Sequence, residues 1–204
     1  MRVLASAISF LLCTGPVFAQ APKPGKWVAL FNGQDLSGWK KYGDEKWMVQ
    51  GGEILGEAVT KAYGYLGTEK TYKNFEFKGK FKAEGTGNSG IFYHSTIDGV
   101  NIRGVQVEVD PNPGKHTGGL YETGGREWVV FPNDVAEKAL KVSDWNEVHF
   151  SVANNYIVTY INGVKAVDFT DPKPKFADGI IALQLHSGGE GKMRFKELYI
   201  RELP

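Results

Sequence analysis

The sequence predicts an all-β protein, a jelly-roll sandwich of two antiparallel sheets. Three features carry this: apolar residues recur at every second position in one segment after another, turns between them draw on 26 glycines, and helical period is almost absent.

Taken in order, Trp47-Met48-Val49-Gln50, Gly51-Gly52 and Glu53-Ile54-Leu55-Gly56 read as two strands joined by a two-residue turn. From Asn74 to Lys82, Phe75, Phe77 and Phe81 share one face with Gly79 between them, while Glu76, Lys78, Lys80 and Lys82 share the other. Val148, Phe150 and Val152 alternate with His149 and Ser151 in the same way. Tyr156 to Ile161 is a β-branched run closed by an Asn162-Gly163 turn and answered by Val164 to Phe169. Ile180 to His186 and Met193 to Leu203 complete the set, and the best helical segment is Asn133 to Leu140, one or two turns long. No domain boundary or internal repeat interrupts residues 27–204, which are expected to form a single domain.

The first residues have the order of a secretory signal: Arg2, an apolar run from Val3 to Cys13, then Thr14-Gly15-Pro16 and Val17-Phe18-Ala19. Cleavage after Ala19 is expected, with a mobile Pro/Lys tail from Gln20 to Lys26 and export to the periplasm or beyond. The apolar run is too short for a bilayer, which needs about 20 residues. A lipid on Cys13 is disfavoured because Phe10-Leu11-Leu12 lacks the small residues that precede such a cysteine. Cys13 is the only cysteine, so a processed chain has no disulfide and no thiolate ligand, and its core alone must hold the fold.

The formal charge is +1, from 24 basic and 23 acidic residues, and loss of Arg2 with the signal leaves the two balanced. Nucleic acid, which demands a basic stripe, is therefore excluded as a partner, and anionic membranes and polyanions are disfavoured. A neutral carbohydrate, held by hydrogen bonds and aromatic faces, is compatible with this surface and with the 13% aromatic content. Oligomeric state is not legible.

The most informative stretch is Gly104-Val105-Gln106-Val107-Glu108-Val109-Asp110. Alternation puts its valines against the second sheet and Gln106, Glu108 and Asp110 on the opposite face, spaced roughly 7 Å along the strand. An ordinary solvated strand face is the plain alternative. Against it, no lysines alternate with these side chains, and Ile180 to His186 repeats the pattern: Leu183 and Leu185 on one side, Gln184 and His186 on the other. Two such faces on one sheet would make a hydrogen-bonding floor. Further candidates are His94, after the tight turn Gly87-Asn88-Ser89-Gly90; Tyr121, in the segment His116 to Glu122; and Arg126, beside Trp128. For each histidine a satisfied or surface imidazole is the competing reading, and His149 is assigned to it.

A retaining glycosidase needs two carboxyl groups about 5 Å apart. Glu108-Val109-Asp110 begins a jelly-roll glucanase pattern, but Pro111, Asn112 and Pro113 follow and the second glutamate is missing. There is no Gly-x-Ser-x-Gly elbow, phosphate-binding loop or His-Glu-x-x-His pair. A site for a divalent cation, built from scattered His, Glu and Asp, stays open, since the spacing is not diagnostic.

These residues together resemble the 3-keto-disaccharide hydrolase domain family. The shared marks are Leu30-Phe31-Asn32-Gly33-Gln34-Asp35-Leu36-Ser37-Gly38-Trp39, Trp47-x-Val49-x-Gly51-Gly52, Asn88-Ser89-Gly90-Ile91, Thr117-Gly118-Gly119-Leu120-Tyr121, Trp145-Asn146-Glu147 and Ile181-Ala182-Leu183-Gln184-x-His186, from about Trp27 to Leu203. The resemblance implies a concanavalin A-like jelly roll in an exported protein, acting on glycosides whose sugar carries a ketone at carbon 3. The family pattern sets a glutamate two residues before a glutamine, whereas here Gln106 precedes Glu108. A ketone at carbon 3 acidifies the hydrogen on carbon 2, so the bond at carbon 1 breaks by elimination and water addition completes net hydrolysis. That route needs a base and enolate stabilisation instead of a carboxylate nucleophile. His94 or Glu108 is the expected base, with His186, Arg126, Gln106 or a bound cation on the developing oxygen charge, and Gln106, Asp110, Tyr121, Arg126 and Gln184 as substrate contacts. The alternatives are a carbohydrate-binding module without catalysis and a structural or adhesive surface domain.

Overall fold

The computed structural model describes residues 23–204. The expected signal segment, its cleavage point and residues 20–22 of the tail lie outside the described residues. The chain contributes β1 (Val28–Ala29), β2 (Trp39–Tyr42), β3 (Lys46–Gln50), β4 (Glu53–Glu57), β5 (Gly64–Tyr72), β6 (Phe75–Ala83), β7 (Ser89–Asp98) and β8 (Asn101–Val109). There follow β9 (Leu120–Thr123), β10 (Glu127–Val130), α1 (Asp134–Lys138), β11 (Asn146–Ala153), β12 (Tyr156–Ile161), β13 (Val164–Thr170), β14 (Gly179–Leu185) and β15 (Lys192–Glu202). One sheet runs β13-β12-β11-β6-β15-β4-β3 with β1 paired to β15; the other runs β10-β9-β8-β7-β14-β5-β2. Every pairing is antiparallel, so the expected two-sheet sandwich is what forms.

The hairpins follow from turn chemistry. Gly51 and Gly52 take φ of 62° and 78° and join β3 to β4 with Gln50 opposite Glu53; Asn162 and Gly163 do the same at 50° and 78° between β12 and β13. Two successive positive φ values give the turn whose twist matches paired strands, which is why Gly and Asn stand there. The helix is shorter than its sequence segment because Asn133 caps it, its side chain accepting from the amides of Val135 and Ala136. The tail is anchored earlier than expected, since the Gly25 amide donates to the Glu202 carbonyl at 2.8 Å.

Alternation places the core between the sheets. Phe75, Phe77 and Phe81 of β6, Val148, Phe150 and Val152 of β11, Val105, Val107 and Val109 of β8, and Leu183 and Leu185 of β14 all belong to it. Burial on this scale is the main term holding a cysteine-free domain together. A smaller cluster of Tyr65, Phe92, Ile102 and Ala182 lies on the other face of the seven-stranded sheet, and the cleft is built over it. Among the described residues no helix is long and apolar enough to cross a membrane.

Candidate functional site

The cleft, about 820 Å³, lies across β5, β14, β7, β8, β9 and β10, and its most polar end is where β5 and β7 begin and β14 and β8 end. Register puts the key side chains together: Gln106 pairs with Phe92 on one side and Tyr121 on the other, Glu108 pairs with Gly90, and Gln184 with Tyr65. Because β8 has its valines in the core, Gln106 and Glu108 must face the cleft, and both line it.

Glu108 is only 3% exposed. Asn88 Nδ2 donates to its Oε1 and also to Asp110 Oδ2 at 3.1 Å, while Gln106 Nε2 donates to Glu108 Oε2 at 2.9 Å. Burial pushes the carboxyl up to about 7; the Asn88 bond opposes the rise and the Asp110 charge adds to it. Such a group gains and loses its proton near neutral pH, as an acid–base catalyst must.

Across the floor, the Tyr63 hydroxyl lies 3.2 Å from His186 Nε2, and His186 Nδ1 lies 3.0 Å from the Ser187 carbonyl. Nδ1 also lies 3.3 Å from the Ser187 hydroxyl, which can give or take a proton, and Nε2 and the Tyr63 hydroxyl share one between them. Tyr63 reaches this position on a loop fixed by Glu45, a buried carboxylate that accepts from the amides of Val59 and Thr60. The His186 amide in turn donates to the Asn88 carbonyl at 3.2 Å, tying both halves of the site to one backbone link. Tyr121 and Trp128, in an edge-to-face pair with centroids 5.4 Å apart, form one wall; Tyr63 and Tyr65, stacked at 6.3 Å, form the other. Aromatic walls over a hydrogen-bonding floor suit a sugar ring, whose faces are apolar and whose rim is polar.

Of the residues singled out from sequence, Gln106, Glu108, Tyr121, Gln184 and His186 meet in this cleft. Asp110 is adjacent but turned away, accepting from the Asn112 amide and side chain at 2.8 Å each, and it orients Asn88 without lining the cleft.

His94 and Arg126 stand elsewhere, and both assignments are corrected. β7 bulges between Tyr93 and Thr96, and His94 there takes a φ of 48°. Strict alternation would put His94 on the face of Phe92; the bulge turns it inward instead, against Phe75 and Tyr93 of the core. Its Nε2 lies 2.6 Å from the Lys73 carbonyl and its Nδ1 3.2 Å from that of Phe176, so neither nitrogen is available, and burial lowers its pKa. Arg126 is held by two buried carboxylates. Nε donates to Glu122 Oε2 at 2.8 Å, and the terminal nitrogens donate to Asp171 at 2.9 and 2.7 Å. Glu122 follows Tyr121 on β9 and so points the opposite way, opposite Val105, where its charge requires a partner. His149 is the surface imidazole expected, stacked on Tyr160 at 5.5 Å.

Tyr63, Tyr65, Asn88, Arg103 and Trp128 line the cleft without having been singled out as site residues. Asn88 and Trp128 lay inside segments noticed for other reasons, but Tyr63 precedes its strand and carries no periodic signal. No group of three or more His, Cys, Asp or Glu side chains among the described residues is arranged to hold a metal ion.

Two antiparallel sheets packed face to face define a jelly roll, here with a polar, aromatic-walled cleft on one sheet. The model of the 3-keto-alpha-glucoside-1,2-lyase-like domain family matches residues 26–201, and the chain belongs to that family. It is 35% identical over 169 residues to a 3-keto-disaccharide hydrolase of Bacteroides thetaiotaomicron, a match that takes in 70% of this chain and 58% of that longer protein. In fold it is similar to a candidate glycosyl hydrolase from Parabacteroides distasonis, with a TM-score of 0.67 at 23% identity over 88% of this chain and 94% of that one. It is likewise similar to a galectin-like protein of unknown function from Bacillus subtilis, with a TM-score of 0.70 at 11% identity over 90% and 97%.

Proposed function

We propose that the chain cleaves glycosidic bonds of sugars bearing a ketone at carbon 3, with Glu108 as the base that starts the reaction. The observation that carries this is the Glu108 carboxyl itself: buried in the cleft floor, raised to about 7, and faced by a second proton-sharing pair, Tyr63 and His186.

In the first half-reaction the Glu108 carboxylate takes the proton from carbon 2, the electron pair forms the enolate of the carbon 3 ketone, and the bond from carbon 1 to the departing oxygen breaks. The leaving oxygen takes a proton from the Tyr63–His186 pair. In the second, water adds to carbon 1 of the resulting enone and gives a proton back to that pair, while carbon 2 takes a proton from Glu108, which has exchanged with solvent in the meantime. The sum is hydrolysis, with both acid–base groups restored. In this reading the Tyr121 hydroxyl and the Arg103 guanidinium, both of which line the cleft, offset the enolate charge. A carboxylate nucleophile is not supported, because Asp110, the nearest second carboxyl along β8, is turned out of the cleft.

The test is turnover of aryl 3-keto-glucosides of both anomers and of 3-keto-disaccharides, beside the plain glycosides, with and without chelator. Release of aglycone from the 3-keto compounds is expected, with deuterium entering carbon 2 in heavy water. Glu108→Ala is expected to lower kcat by about 10²- to 10⁴-fold, the usual worth of a positioned base. Turnover within a few-fold of wild type in that variant would remove the assignment, and binding without turnover would favour a carbohydrate-binding module. We also propose export to the periplasm or beyond, on the order of Arg2, apolar run and Ala19. Recovery of the protein from the periplasm or medium with its amino terminus at Gln20 would support this, and a cytoplasmic protein still beginning at Met1 would end it.

A further inference from the structure

The cleft floor contains two buried acceptors that nothing among the described residues satisfies. Gln106 Oε1 and Gln184 Oε1 have no hydrogen-bond partner, although their residues are only 7% and 4% exposed. They belong to β8 and β14, which flank β7 on either side, and they converge over Gly90. A Cβ on Gly90 would collide with Gln106 Oε1 and lie 3.4 Å from Gln184 Oε1. The orientation of Gln106 is fixed from its other end, since Nε2 donates to Glu108 Oε2 at 2.9 Å, and a flip would set Oε1 against the carboxylate. A buried carbonyl without a donor loses its water and receives nothing in return, so two of them aimed at one bare glycine are matched to donors arriving from outside.

We propose that Gln106 and Gln184 form, over Gly90, an acceptor subsite for two hydroxyl groups of the sugar ring. The assignment rests on the glycoside reading of the same cleft and adds an orientation to it. A ketone has no proton to give, so the oxidised carbon is excluded from this floor. The ring must sit with hydroxyls down on the glutamine pair and its carbonyl turned toward the donors on the walls. A polyol edge is selected here, and an acceptor-rich ligand such as a carboxylate or phosphate is rejected.

The test pairs substrate deletions with site deletions. Binding of methyl glucosides and their 2-, 4- and 6-deoxy analogues is followed by ligand-observed NMR and calorimetry, and turnover by the corresponding aryl 3-keto-glucosides. Wild type, Gln184→Leu and Gly90→Ala are compared, with thermal melts to establish folding. In wild type, removal of a hydroxyl that sits on the pair is expected to weaken binding about three- to tenfold. Gln184→Leu is expected to weaken the parent sugar and erase that difference, and Gly90→Ala to weaken all of the sugars by filling the space. Absence of binding by the parent glycosides, a flat deoxy series in wild type, or the same discrimination in wild type and both variants would each overturn the subsite. A flat series with intact 3-keto turnover removes the subsite and leaves the cleavage reading. Preserved discrimination without any turnover removes the cleavage reading and leaves the subsite.

Discussion

Glu108→Gln should make the folded protein more stable, and increasingly so as pH rises. In the fold the carboxyl titrates at about 7 instead of 4.5, because burial disfavours its charged form. The native state therefore binds a proton that the unfolded state releases between those values, and stability falls as pH climbs through the interval. A shift of that size corresponds to about 3 kcal/mol of stability absent at pH 8 and present at pH 4. Glutamine has the shape of the neutral acid and nothing to titrate. Asn88 can keep its bond to an amide oxygen at position 108, and Gln106 can turn its own oxygen to the new amide nitrogen. Urea unfolding of both proteins at pH 4 and pH 8 measures the effect. Near-equal stabilities are expected at pH 4 and a gap of about 3 kcal/mol in favour of the variant at pH 8. A gap that stays constant across this range would mean that Glu108 titrates as an ordinary surface glutamate, and the case for it as a base near neutrality would fail with it.

In the proposed reaction the same proton governs rate: kcat/KM on a 3-keto-glucoside should rise with pH through about 7 as Glu108 ionises, and Asn88→Ala should move that limb upward because it removes the bond that favours the charged form. Arg126→Ala should lower stability by about 2 to 4 kcal/mol, since it leaves the buried carboxylates of Glu122 and Asp171 unpaired, with thermal and urea unfolding as the measure. Arg126 holds Asp171 below the usual carboxylate range, so this loss should be fully expressed at neutral pH and shrink in strong acid as Asp171 is protonated in both proteins. His94→Ala should destabilise the fold by about 1 to 3 kcal/mol through the lost bond to a backbone carbonyl and the lost packing while leaving kcat close to wild type at a temperature where the variant is folded; a loss of kcat comparable to that of Glu108→Ala would return His94 to the chemistry.

The fold was legible because its signals are local. Phe75, Phe77 and Phe81 announce their face within one strand, Gly51-Gly52 and Asn162-Gly163 announce their turns within two residues, and a resemblance running from Trp27 to Leu203 covers the rest. Half of the site was legible for the same reason. On β8 and β14 the core side is filled by valines and leucines, so the polar side of each strand could be assigned before any partner was known.

What alternation cannot carry is a break in itself. His94 has the flanking pattern of a strand residue on the cleft face, yet one bulge reverses it. That bulge is permitted by glycines on the two neighbouring strands: a Cβ on Gly104 would come within 2.6 Å of the Ser95 Cβ, and one on Gly179 would strike the backbone of His94 and Ser95. The strands on both sides of β7 thus give up a side chain to let its backbone swell there, and the sequence of β7 itself does not contain that information. Gly90, on the same strand, makes the opposite case. It lies in regular pairing opposite Glu108, with no turn or left-handed backbone to explain it, and the atoms its missing Cβ spares are the two amide oxygens of the cleft floor. Glycine inside a strand therefore has two readings here, close approach of another strand or space for an incoming ligand, and only the identity of the atoms around it tells them apart.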